Sequence, residues 1–343
     1  MVRTLKINIK NTKEIAYLIG FLLLLFISFL ISASIGAANI PIKETIGILF
    51  KGEISNNKDI LMDIRIPRVL ISAVLGAGLS VVGAVMQGIF KNPLVDSYTL
   101  GMSAGASLGA VISIVAGINI RVFGYSTTGI FAFVGAILTL FFVYTLSKTK
   151  NIMSVTSLLL AGVTVSYFLA SIISFIMMLN RKQVEHIVFW TMGSIASSTW
   201  EKLIVSGLFI IPGIIVLSFF TRELNIMSLG DESAHYLGIN TEKLKYILLI
   251  ICSIIIGAVV STGGTIGFIG LIVPHIIRIL RGSDHKKLIP YSALLGASIL
   301  MLSDTVGRVL IQPKEIPVGV MTSVLGGPFF ILLLRRQKLK GVN

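Results

Sequence analysis

Charge is scarce in this sequence. Only 13% of its 343 residues are Asp, Glu, Lys or Arg, and 55% are hydrophobic, whereas a soluble domain carries roughly 25% charged residues. A water-soluble globular fold is excluded on that ground. In its place stand charge-free runs, and about 20 apolar residues span a bilayer as helix. They cover 15–42, 69–90, 97–120, 122–147, 151–180, 203–221, 246–277, 288–303 and 316–334. Cysteine is nearly missing as well: Cys252 stands alone inside an apolar run, so no intrachain disulfide can form. The phosphate-binding pattern G-x-x-x-x-G-K-[ST] does not occur, so any ATP hydrolysis belongs to another chain. A mid-membrane carboxylate, which ion-coupled carriers keep despite its cost, is also lacking. Asp304 comes nearest, but it lies towards the end of its run and four residues from Arg308, a spacing that suits a local ion pair. A proton-driven carrier is therefore disfavoured.

What is present is topology. The run 246–277 would make a single helix of about 48 Å at 1.5 Å per residue, too long for a core of roughly 30 Å. Gly263 and Gly264 sit in its middle, and a glycine pair favours a break. Splitting there predicts an all-α chain of ten spans: 15–36, 67–90, 97–117, 124–147, 151–179, 202–221, 244–263, 267–281, 288–309 and 317–334. The formal net charge of +14 then divides unevenly. The inner side takes 18 basic and 7 acidic residues, the outer side 11 and 8, which is how basic residues orient a membrane protein. The charge reports topology rather than nucleic-acid binding. The first run follows four basic residues, yet it is long and "SASIGAANIP" is a weak cleavage site, so it reads as a retained span. The outward stretch "HIVFWTMGSIASSTW" reads as a short helix near the outer surface, with tryptophan at the interface. Residues 1–343 read as a single transmembrane domain.

Several short patterns have a plain and a sharper reading. Gly101, Gly105 and Gly109 recur every fourth residue, so they share a face of the third span and permit close helix packing. Gly76, Ser80 and Ala84 form a similar stripe on the second. "GMSAG" also matches G-x-S-x-G, but a nucleophile elbow needs a strand-turn-helix context, and His275 is the only intramembrane histidine available to it; packing is the preferred reading. "RIPRVL" opens the second span with two arginines, which anchor at headgroups or dock an acidic partner. In the inner loop "LNIMSLGDESAHYLGIN", Asp231 is placed to cap a short helix through Leu237, and Gly238 to end it. Ala234 and Leu237, one turn apart, give that helix a small apolar face suited to a partner's groove.

Taken together, these stretches resemble the permease subunit of the bacterial ABC importers for iron–siderophores, haem and cobalamin. The matching residues run in order along nearly the whole chain: "RIPR" (65–68), "GAVMQGIFKNPL" (83–94), "LGMSAGASLGA" (100–110), "LLLAG" (158–162), "SLGDESAHYLGI" (228–239), "GFIGLIVPHIIR" (267–278), "LLGASILMLSD" (294–304) and "EIPVGVMTSVLGGPFFILLL" (315–334). The resemblance implies a multi-pass protein of the cell (inner or plasma) membrane with both ends cytoplasmic. It implies an inverted repeat relating spans 2–5 to 7–10. Spans 5 and 10, with the helix after span 5, would line a pathway shared with a second permease subunit, identical or paralogous. Two cytoplasmic ATPases would drive it and an extracytoplasmic binding protein would load it. The chain itself would be no enzyme and hold no cofactor or metal. By the same resemblance Asn92 and Leu94 belong to a cytoplasmic gate, opposed by Val155 and Thr156, the match at Val155 being partial because the family often has a small hydroxyl residue there. Gly230, Asp231, Glu232, Ala234, Leu237 and Gly238 would form the ATPase-coupling segment. Arg65 and Arg308 would pair with acidic residues on the binding protein at the outer face. The contrasting reading is a secondary carrier or exporter of a small metal complex.

Overall fold

Apolar runs this dense, with no water to satisfy their backbone, have helix as their open-ended solution. The computed structural model describes residues 2–118, 120–122, 125–149, 152–153 and 155–340. Within them lie fourteen α-helices: α1 (Val2–Ser34), α2 (Ile42–Ile46), α3 (Ile66–Ile89), α4 (Met102–Val115), α5 (Thr127–Ser147), α6 (Val155–Leu179), α7 (Val184–Thr191), α8 (Trp200–Phe219), α9 (Thr221–Met227), α10 (Asp231–Tyr236), α11 (Thr241–Gly263), α12 (Ile269–Arg281), α13 (His285–Val309) and α14 (Val318–Lys340). Strand is confined to two antiparallel pairs of two residues each, in the turns on either side of α5. The fold is all-α and polytopic. Seven helical stretches are long and apolar enough to cross a membrane, and α4 and Val318–Leu332 are shorter apolar helices.

Each of the ten expected spans falls on a helix. The break at Gly263–Gly264 is there: α11 ends at Gly263 and α12 begins at Ile269. Gly264 takes a φ of +67°, and a Cβ on it would press on the carbonyl oxygen of Trp190 at 2.5 Å, so the turn needs glycine. The outward stretch holds the short helix α7. The third span is shorter than the apolar run suggested, because the chain turns at 96–101 before α4 starts. Gly101 therefore precedes the helix, at a φ of +76°, and only Gly105 and Gly109 lie on its face. That corrects the expectation of three glycines on one helical stripe.

Small residues set the core. Helix α3 packs against α13, α12, α8 and α11. A Cβ at Gly76 would collide with the Gly296 carbonyl of α13, and one at Gly83 with the Gly270 carbonyl of α12. Between these contacts the Ser80 hydroxyl donates to the Ser292 carbonyl at 2.7 Å. On α4, a Cβ at Gly105 would run into Thr139 and one at Gly109 into the Phe131 carbonyl, both on α5. Backbones approach where side chains are absent, as lipid-embedded helices require when no hydrophobic drive pulls them together.

Candidate functional site

Among the described residues, three of the places that gather polar groups in this apolar bundle bear on the expected site. We call the end holding the turns at 91–101, 228–240 and 282–284 the inner end, following the basic-residue count above.

At the inner end, α3 stops at Ile89 and Lys91 turns the chain with a φ of +49°. The Asn92 carboxamide oxygen then accepts the Leu94 N–H at 2.9 Å, an Asx turn that sets Leu94 outward; Leu94 is 44% exposed. Lys91 Nζ reaches across to Asp231 Oδ1 at 2.6 Å. The other oxygen, Asp231 Oδ2, takes Lys245 Nζ at 2.8 Å, and that lysine is buried and also pairs with Glu242 at 3.3 Å. Partial desolvation pushes the Asp231 carboxyl up, but hydrogen bonds and charge from Lys245 and Lys91 outweigh it and hold the group below its ordinary value. The pairing is thus present above the usual carboxylate range and is lost as pH falls through the lowered value.

This geometry corrects two expectations about the short helix. Asp231 is its first residue, not its cap: Gly230 takes the N-cap position and Asp231 spends its carboxylate on the two lysines. Ala234 is buried in the chain's own core, so it adds nothing to a partner-facing surface, while Leu229, Tyr236 and Leu237 are exposed. Gly238 ends the helix as expected, at a φ of +79°, with its N–H on His235 O and that of Ile239 on Ala234 O. Glu232 is exposed and Gly230 half-buried. A second tie was not anticipated: Asn225 on α9 donates to Asp284 at 2.7 Å and accepts the His285 N–H at 2.8 Å, joining the same loop to the start of α13.

The second place is a cavity of about 770 Å³ walled by Leu94, Asp96, Tyr98 and Thr99, by Thr191 and Met192 at the end of α7, by 265–271, and by Gly319–Val324 and Phe330 of α14. Three chain breaks meet beside it. The Gly319 N–H bonds the Gly193 carbonyl at 3.2 Å, and the Thr265 hydroxyl bonds the Thr191 carbonyl. Asp96 Oδ1 accepts the N–H groups of Tyr98 and Thr99 at 3.0 and 3.2 Å, which forms the turn ahead of α4. Burial raises the Asp96 carboxyl to about 6, against the pull of those two bonds. Sequence reasoning missed Asp96, because an aspartate after Asn-Pro reads as an ordinary turn residue. Val155 and Thr156 open α6, Val155 half-buried against the core and Thr156 exposed; neither lines this cavity.

The third place is the outer end. Arg68 Nε and Nη2 hold both oxygens of Asp304 at 2.9–3.1 Å, and its Nη1 pairs with Glu315 at 2.9 Å. Arg308 meets Asp304 at 3.1 Å and donates to Ser32 O and Thr305 Oγ1. Arg65 donates to the carbonyls of Ala33, Ser34 and Ala38. The local Asp304–Arg308 pair exists, but Arg68 is Asp304's fuller partner. Arg65 and Arg308 are only 4% and 6% exposed within this single chain. Their guanidinium groups are taken up by α1, the turn after it, and α13.

A helical bundle with seven stretches long and apolar enough to cross a membrane, a cavity inside it and an exposed short helix at one end is a polytopic membrane protein. Comparison with known proteins supplies the class. The FecCD transport family matches residues 24–336, and this chain belongs to that family. It is 40% identical over 345 residues to an uncharacterized ABC transporter permease protein, YvrB, of Bacillus subtilis, covering 98% of each chain. It is 37% identical to the hemin transport system permease protein HmuU of Yersinia pestis, over 94% of this chain and 96% of that one. A solved ABC transporter of proposed metal-chelate type, in an inward-facing conformation, superposes with a TM-score of 0.80 at 30% identity, covering 93% of this chain and 98% of the other. The protein is thus an ABC importer permease, a multi-pass protein of the cell membrane and not itself an enzyme. Such permeases work with ATPase and binding-protein partners.

Proposed function

We propose that this chain pairs with a second permease subunit, identical or paralogous, to form the inward pathway for a metal chelate or corrinoid of the iron–siderophore, haem or cobalamin kind. Ten helices cross the membrane, α1, α3–α6, α8 and α11–α14, with both ends cytoplasmic and with α3–α6 related to α11–α14 by an inverted repeat. Two cytoplasmic ATPases supply the work, and an extracytoplasmic binding protein delivers the cargo. The inner gate is formed by Asn92 and Leu94 with Val155 and Thr156 opposite. The ATPases grip the segment Gly230–Gly238 through its exposed residues, Glu232 and Leu237 among them.

The observation that carries this reading is the half-built cavity. Its wall comes from the gate loop, α7 and α14, while α6 beside it has only 11% of its apolar window buried within the chain. Lipid would cover such a helix equally well, as it would α1, which is no more buried; what favours a second subunit is that α6 touches the gate loop at Thr99 and Leu100, next to the cavity. The hemin and cobalamin permeases among the relatives support the cargo class. Arg65 and Arg308 hold α1 against α3 and α13 in this chain and are proposed to meet acidic residues of the binding protein when it docks.

The test is reconstitution. Purified protein should bring ATPase subunits with it, and chelate uptake into proteoliposomes should need ATP and a binding protein. Uptake by this chain alone, driven by an ion gradient, would restore the secondary-carrier reading. Topology has its own check. In a Cys252→Ala background, Asp284→Cys and Lys338→Cys should both resist a membrane-impermeant thiol reagent in intact cells, and labelling of both would restore a nine-span chain with 246–277 as one span.

A further inference from the structure

The gate loop and the ATPase-facing helix are separated by some 140 residues of chain, yet one carboxylate touches both. Lys91 stands immediately before Asn92 and Leu94. Its ammonium is 2.6 Å from Asp231 Oδ1, and Asp231 is the first residue of α10. We infer that Asp231 is a positioning residue for transport, which passes displacement of α10 to the gate loop through Lys91. The inference rests on the gate reading above.

The two halves of the contact differ in a way that suits this task. Lys245 is buried, pairs with both Asp231 and Glu242, and belongs to α11. Its side chain is only 2% exposed, and stripping such a buried charge of its partners is costly, so Lys245 anchors α10 more firmly than the exposed Lys91 does. Lys91 and Asp231, by contrast, have side chains 37% and 45% exposed. Water competes with that pair, and it holds weakly enough to open and reform during a cycle. Asp231 also sits in the first turn of its helix, where the backbone N–H groups favour a negative charge. A push on the exposed Leu229, Tyr236 or Leu237 moves Asp231. Through Lys91, whose own backbone φ of +49° makes the turn after α3, it moves the loop that holds Leu94.

The two lysines are therefore expected to fail differently. With Lys91→Ala, Asp231 is still neutralised by Lys245, so ATPase subunits should co-purify as with the parent and ATP hydrolysis should continue. Uptake per ATP hydrolysed should fall by about fivefold or more, the lower range of a coupling between sites. Lys91→Arg, which keeps a donor at that place, should recover most of it. With Lys245→Met the seat of α10 is lost, and ATPase co-purification itself should drop. The probe is ferrioxamine B or haem, whichever the parent complex takes up, in proteoliposomes with binding protein present. Lys91→Ala with an unchanged uptake-to-hydrolysis ratio would overturn the inference, and so would a Lys91→Arg variant no better than alanine. The gate reading is checked apart from this by Leu94→Ala. If that variant leaks chelate while Lys91→Ala stays coupled, the gate stands and the link falls. If it holds chelate back like the parent, the gate assignment itself is wrong.

Discussion

Two charge clusters, one at each end of the bundle, hold their partners in opposite ways. At the outer end, Arg68, Asp304 and Arg308 are nearly sealed from solvent, with side chains 9%, 3% and 5% exposed in their pairs, and they join α3 to α13. At the inner end, the Lys91–Asp231 pair joins the α3 loop to α10 but lies open to water. Both are ion pairs between distant parts of the chain, and both use a carboxylate with two cationic partners. Burial separates their roles. A desolvated cluster is costly to break once formed and holds its elements in one arrangement, whereas an exposed pair is worth about 1 kcal/mol or less and yields to a partner. The Arg68–Asp304–Arg308 cluster is a clamp and the Lys91–Asp231 pair a joint.

That contrast is open to challenge at several strengths. Asp304→Ala should have the largest effect on stability, because it leaves Arg68 and Arg308 buried against each other with Glu315 alone to balance them. A loss of about 3–5 kcal/mol is expected, seen as a marked fall in the thermal midpoint of the purified complex. Gly83→Ala comes next: its Cβ would collide with backbone at Gly270 rather than with a movable side chain, and overpacking of this kind costs about 1–3 kcal/mol. Gly20→Ala is the matched control on α1, where a Cβ would meet nothing within 4 Å, and its change should stay within about 0.5 kcal/mol. Lys91→Ala should alter the midpoint least among the charged sites, by about 1 kcal/mol or less, while reducing coupled uptake. A Lys91→Ala variant as unstable as Asp304→Ala would erase the distinction between clamp and joint.

Hydropathy carried most of the fold and little of the site. The ten helices and the break at Gly263–Gly264 were legible because long apolar runs have few other conformations in lipid, and because a 32-residue run exceeds a bilayer. Which helices are central was not. The stretch Ile60–Ile89 and helix α6 have mean hydropathies of 2.3 and 2.1, yet 78% of the first window is buried and 11% of the second. Small residues such as Gly76, Ser80 and Gly83 mark the difference, since they record where another backbone comes close. The misreadings share a cause. Asp231 reads as a cap from its place before a short helix, but one of its partners, Lys91, lies 140 residues away, and the carbonyls at 32–38 that hold Arg65 and Arg308 are likewise out of reach of local pattern. Ala234 was read as half of an apolar face when its neighbour is the chain's own core. The early start assumed for α4 failed because Asp96 binds backbone N–H groups at Tyr98 and Thr99, a local bond that competes with helix.

The most direct test of the clamp and joint is a pair of distances followed through the ATPase cycle. In a Cys252→Ala background, spin labels at Leu94→Cys and Leu237→Cys would report the inner end, and labels at Ile64→Cys and Leu310→Cys the outer end; all four parent side chains are exposed. Between the nucleotide-free and ATP-bound complex, the inner distance should shift by several ångströms or broaden, while the outer distance keeps its value and width. A fixed inner distance with a moving outer one would contradict the account.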